Sequence, residues 1–146
     1  MAAAGFRATL LPLLCAACTT IAPGAGTFEG TTWRVVAVNG TETPPAETGY
    51  QVSFSNGLFH GGFGCNGMTA EYRVVGGQLQ VGKMEGDTFR IGSIMATERD
   101  CSMSPTGHFE DEARAILQEP MQIRPNGHNS IVLMSGPGTI VLKRLP

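Results

Sequence analysis

Charge is scarce in this sequence, and it has no direction. Ten Lys and Arg stand against 12 Asp and Glu, a net of −2. The cations are scattered, so there is no electrostatic footprint for nucleic acid and no basic stripe to hold a membrane surface. Long apolar runs are missing as well. The one candidate, Thr9 to Ala17, has about half of the ~20 residues that a bilayer crossing needs. Catalytic spacings are equally thin: there is no GxSxG, and Gly61-Gly62-Phe63-Gly64 is not followed by the Lys-Ser/Thr of a phosphate loop. Glycine and proline, by contrast, are plentiful at 20 and 9 in 146 residues. Many turns in a chain of ordinary hydrophobicity favour a β-rich fold over a helix bundle.

The N-terminus carries the first positive signal. Arg7 supplies a basic n-region, and the apolar run behind it closes on small residues, the pattern of a secretory signal peptide. Leu14-Cys15-Ala16-Ala17-Cys18 resembles a lipoprotein box, which makes residues 1–17 the signal and Cys18 the expected lipidated residue. Ordinary cleavage near Ala22 or Ala25 is the alternative. Residues 18–27, with Pro23, Gly24 and Gly26, read as a tether. The folded domain is then 28–146. Export to the cell envelope is the expectation, with a lipid anchor at the outer membrane and the domain facing the periplasm.

Within that domain, period-two patterns dominate. Thr31 to Val38 is rich in β-branched and aromatic residues and ends at Asn39-Gly40, with Trp33, Val35 and Ala37 on one face. Strands are expected at 50–54 and 58–63 around Ser55-Asn56-Gly57, and at 71–75 and 78–81 around Gly76-Gly77. Others are expected at 89–96, 130–134 and 139–143. The glycines at 61, 62 and 64 suggest a bulge or sharp bend. Only one stretch has a helical period, with Phe109, Ala113, Ile116 and Leu117 at i, i+4, i+7 and i+8. A helix over about His108 to Gln118 follows, with Thr106 as its N-cap and Pro120 as its stop. Glu110, Asp111 and Glu112 read as its solvated start, favoured by the helix dipole. The fold class is α+β, mainly β: a curved, partly barrel-like antiparallel sheet with one α-helix.

The order of short motifs then resembles the META (HslJ-like) family. Phe63-Gly64-Cys65-Asn66 with Tyr72, then Ile94-Met95-Ala96-Thr97 with Cys101, match its two signatures. Glu110, Ala113 and Leu117 fit the helix that follows. Gly64, Cys65, Asn66, Tyr72, Thr97 and Cys101 are therefore the family-motif residues. Ala70 stands where a Gly is usual, and Arg99-Asp100 replaces a more apolar pair. The resemblance implies an envelope protein linked to stress tolerance, with no catalytic residues to carry over. Signature positions and an oxidising compartment together lead to an expected Cys65–Cys101 disulfide. The competing reading makes each cysteine a small buried hydrophobe.

Chemistry can be sought in few places. A thiol enzyme would have to pair Cys65 or Cys101 with His60 or His108. A zinc site would need the same four residues, yet they show no CxxC or HxxxH spacing. Three consecutive acids on a helix point in different directions and do not form one acid/base pair. The expectation is a non-catalytic module with no cofactor and no metal, binding an envelope protein or an apolar ligand. A cryptic hydrolase or thiol enzyme is the alternative.

Overall fold

The computed structural model describes residues 28–45, 49–101, 103 and 107–146. The signal, the tether, Cys18 and the expected N-cap Thr106 lie outside the described residues. Eleven strands and one helix are described: β1 Thr31–Val38, β2 Thr41–Glu42, β3 Gln51–Ser55, β4 Leu58–Gly62, β5 Gly67–Val75 and β6 Gln78–Glu85. They continue with β7 Thr88–Ile91, β8 Met95–Ala96, α1 Gly107–Leu117, β9 Met121–Pro125, β10 Ser130–Ser135 and β11 Gly138–Arg144. All pairings are antiparallel, and eight of the strands close a ring in the order β1-β3-β4-β5-β6-β9-β10-β11. Closure removes the exposed edges that an open sheet would leave. The mainly β, partly barrel-like fold with one helix is therefore as expected.

Tight turns are set by local chemistry. Asn39-Gly40, Asn56-Gly57 and Gly76-Gly77 all take positive φ at both positions. That is the two-residue hairpin geometry whose twist matches that of the strands. Inside the ring, Trp33, Val35, Val52, Phe54, Phe59, Leu79, Val81, Leu133, Ile140 and Leu142 form one core. One mouth of the barrel is filled by aromatics. The Phe28 ring lies 4.8 Å from Phe54, and Phe54 lies 4.9 Å from Tyr72. Thr31 locks this end, its hydroxyl donating to the Phe28 carbonyl and accepting from Trp33 Nε1 at 2.7 Å.

At the other end, α1 lies against β1, β10 and β11. Phe109, Ala113, Ile116 and Leu117 are buried, as the period implied, and Phe109 meets Tyr50 edge-on with centroids 5.7 Å apart. Asn39 ties the turn after β1 to the helix, donating from Nδ2 to Glu112 at 2.8 Å.

Four expectations are corrected. First, Ala37 does not share the face of Trp33 and Val35: a register shift between Val35 and Ala37 turns Val38 inward instead. Second, the strand expected over 89–96 is two strands, broken at Gly92 with φ +78, so that β7 joins β6 while β8 joins β5. Third, β9 was not anticipated, because two apolar residues between Pro120 and Pro125 leave little alternation to read. Fourth, the expected bend lies at Gly64, with φ +124, whereas Gly62 serves close backbone approach. A Cβ on Gly62 would sit 2.6 Å from the Gly49 carbonyl oxygen, and pairing with β5 runs regularly through Gly62.

Candidate functional site

The signature residues converge where β5 begins. Gly64 takes φ +124, a conformation that L side chains rarely adopt, and its N–H donates to the Gly49 carbonyl. This bend sends Cys65 toward the segment after β8, where it is joined to Cys101 by a disulfide with Cα atoms 6.0 Å apart. The bond spans 36 residues, and closing a loop of that size stabilises by about 3–4 kcal/mol in the chain-entropy model.

Asn66 is the hub beside it, buried at 7% exposure. Its Oδ1 accepts from Thr97 Oγ1 and from the Arg99 N–H, both at 2.9 Å. Its Nδ2 donates to the Glu110 carboxylate at 3.1 Å and lies 3.3 Å from the Arg99 carbonyl and 3.0 Å from Cys101 Sγ. Its backbone N–H donates to Glu110 as well, at 3.1 Å. Thr97 completes the clasp by accepting from the Gly67 N–H at 3.1 Å. One asparagine thus binds the start of β5, the 97–101 segment and α1.

Glu110 is the residue that the sequence reading misplaced. It is not a solvated helix-start acid but 5% exposed, held by Asn66 and by Arg114 Nη2 at 3.2 Å. A helical-wheel signal existed: Glu110 is three and seven residues before Ala113 and Leu117, on the same stripe. Asp111, by contrast, is exposed. Although Arg99-Asp100 is exposed, its backbone is still clasped by Asn66.

Tyr72, the remaining signature residue, works at the opposite mouth. Its hydroxyl donates to Glu29 at 2.7 Å, and the same carboxylate accepts from the Asn56 and Gly57 N–H groups. These three hydrogen bonds, Tyr72's first, hold the Glu29 carboxyl below its ordinary range. Partial burial, then the bond to Glu29 and its charge, push the Tyr72 phenol up to about 12.

All three histidines are exposed. His60 faces Thr69 Oγ1 at 3.2 Å, while His108 stacks on Phe109. Among the described residues, the potential ligand atoms that gather within 4.8 Å are those of Cys65, Cys101 and Glu110. The zinc set considered from sequence is therefore not assembled, since neither His60 nor His108 is part of that group. With the cysteines bonded to one another there is also no thiolate for a Cys–His pair. A separate cleft of about 240 Å³ opens where β6 parts from β5, lined by Leu58, Ala70, Ile94 and Met95 with Glu71 and Lys83 at its side.

A closed eight-strand antiparallel barrel, with one helix pinned through a disulfide and a buried asparagine–carboxylate clasp, defines the structural class. The META domain family matches residues 26–145, and the chain belongs to that family. Two solved structures share the fold. One, described only as an NMR structure of a protein, is 17% identical and superposes with a TM-score of 0.64 over 83% of this chain and 94% of its own. The other, an NMR structure of a protein from Burkholderia xenovorans, is 14% identical with a TM-score of 0.60 over 99% of both chains. Among curated proteins nothing matches.

Proposed function

We propose that this chain is a non-catalytic, exported META-domain lipoprotein of the cell envelope, anchored through Cys18 and serving envelope maintenance or stress tolerance by binding a protein or an apolar ligand. The observation that carries the reading is the fate of the signature's polar groups. Cys65, Asn66, Thr97, Cys101 and Glu110 are all engaged in holding β5, the 97–101 segment and α1 together. Groups so engaged hold the architecture while the disulfide stands, and the apolar cleft between β5 and β6, with Met95 at 72% exposure beside it, offers a place where a ligand would bind.

Two measurements test this. A fluorescent fatty-acid analogue should bind the domain and lose affinity in Ile94→Glu and Met95→Glu; equal binding by both variants would remove the cleft from consideration. Metabolic labelling with an alkyne fatty acid should mark the wild type and not Cys18→Ala. Labelling of that variant would reject the anchor.

A further inference from the structure

We propose that the Cys65–Cys101 disulfide and Glu110 together form a redox-gated site for a thiophilic divalent cation, Zn²⁺ being the first candidate. The site is shut while the sulfurs are bonded and available once they are reduced. Both sulfurs and a Glu110 carboxylate oxygen lie within 4.8 Å of one another, with Cys101 Sγ 3.8 Å from Oε2. A disulfide sulfur has no proton to give, so that approach is not a hydrogen bond. The carboxylate is instead aimed there by Asn66 and Arg114. A buried anion gains nothing from a disulfide, whereas beside two thiolates it completes a three-ligand set of the kind zinc takes.

A second observation concerns access. A polar cavity of about 480 Å³ is lined by Cys101 and Glu110 together with His108 and Asp111. It opens the Cys101 and Glu110 side of the group to solvent and so gives an ion a way in. The atoms that gather within 4.8 Å are those of Cys65, Cys101 and Glu110 alone among the described residues, which leaves the remaining position to water. Around an ion with Zn–S bonds of about 2.3 Å, two sulfurs stand less than ~4 Å apart. Side-chain rotation reaches that separation from backbones 6.0 Å apart. Arg114, 3.2 Å from the carboxylate, offsets part of the negative charge that two thiolates would add. Sequence spacing hides such a site, because its ligands come from three segments and one of them is a helix acid.

The chemistry balances simply. A dithiol gives two electrons to the S–S bond and closes to its own disulfide, while its two protons end on Cys65 and Cys101. A phosphine does the same, taking oxygen from water to become the oxide. Binding the cation then displaces the two thiol protons to solvent.

The test uses the full chain carrying Cys15→Ser and Cys18→Ser, so that only Cys65 and Cys101 can supply thiols. It is reduced anaerobically with a phosphine and titrated with Co²⁺. One equivalent should bind with a thiolate-to-cobalt charge-transfer band that is absent before reduction and bleached by Zn²⁺. Glu110→Gln should weaken that binding at least on the order of tenfold, the loss typical of removing even an outer-shell partner. A reduced chain that keeps its β circular dichroism but gives no band overturns the proposal, as does one that unfolds on reduction or a band indifferent to Glu110→Gln. If the glutamine variant does not fold, the visible spectrum of the wild-type cobalt complex decides: intense tetrahedral absorption supports the site, and weak octahedral absorption rejects it.

Discussion

Asn66 and Glu110, 44 residues apart in sequence, are joined twice: the backbone N–H and the side-chain amide of the asparagine both end on the one carboxylate. Neither residue is exposed by more than a tenth. The pair therefore carries the docking of α1 onto the start of β5, and its loss leaves buried polar groups without partners. Asn66→Asp should be worse than Asn66→Ala, since it sets a second carboxylate against Glu110. The alanine variant should lose about 1–3 kcal/mol in urea unfolding. A double-mutant cycle with Glu110→Gln should return a coupling of about 0.5–3 kcal/mol. Strict additivity would mean that the two side chains do not act on each other.

The disulfide should supply a second, separable share of stability. Cys65→Ser with Cys101→Ser is expected to cost about 2–5 kcal/mol, a large part of the margin of a small domain. Mass spectrometry of the unreduced chain checks the bond itself. Iodoacetamide should leave both residues unmodified unless a reductant is added, even after unfolding.

Much of the barrel could be read from the sequence because its signals are local. Asn39-Gly40 and Asn56-Gly57 mark hairpins whatever surrounds them, and the stripe from Phe109 to Leu117 gave a helix within one residue of its observed ends. What could not be read depends on distant partners. The shift after Val35 is imposed by pairing with β11, and the break at Gly92 arises where the chain runs so close to the end of α1 that a Cβ added there would stand 3.1 Å from the Gln118 Cα. In the site, the motif residues were visible, but the role of Asn66 was not. An asparagine that satisfies three segments looks, in sequence, like any turn residue. Glu110 was hidden for the opposite reason: an acid in the first turn of a helix has a ready explanation in the dipole.

Stability should fall on both flanks of pH through the Tyr72–Glu29 bond. Glu29 has its folded pKa lowered from 4.5, so its contribution is present above that value and is lost as pH falls through the folded one. Tyr72 is raised from 10.0 to about 12. Its contribution is whole below pH 10 and disappears as pH climbs through about 12, because the unfolded chain ionises first. Thermal midpoints measured across pH should therefore drop at both ends, and Tyr72→Phe should flatten both slopes. An unchanged alkaline limb in that variant would assign the loss to another group.

Two glycines that look alike in sequence should respond in opposite ways to the same substitution. Gly62 and Gly67 face each other across the β4–β5 ladder. On Gly62 a methyl group would stand 2.6 Å from the Gly49 carbonyl oxygen, which is backbone and cannot rotate away. That carbonyl also accepts from the Gly64 N–H, so moving it disturbs the bend that delivers Cys65 to its partner. Gly62→Ala should then cost about 1–3 kcal/mol, the range of an overpacking strain. On Gly67 nothing lies within 4 Å of the added carbon, and no positive φ is required. Alanine there removes unfolded-chain freedom at no steric cost, so Gly67→Ala should be neutral or stabilising by about 0.4–1 kcal/mol. Paired urea titrations decide it. If both variants lose stability equally, the close passage of residue 49 over β4 is not what requires a glycine at 62.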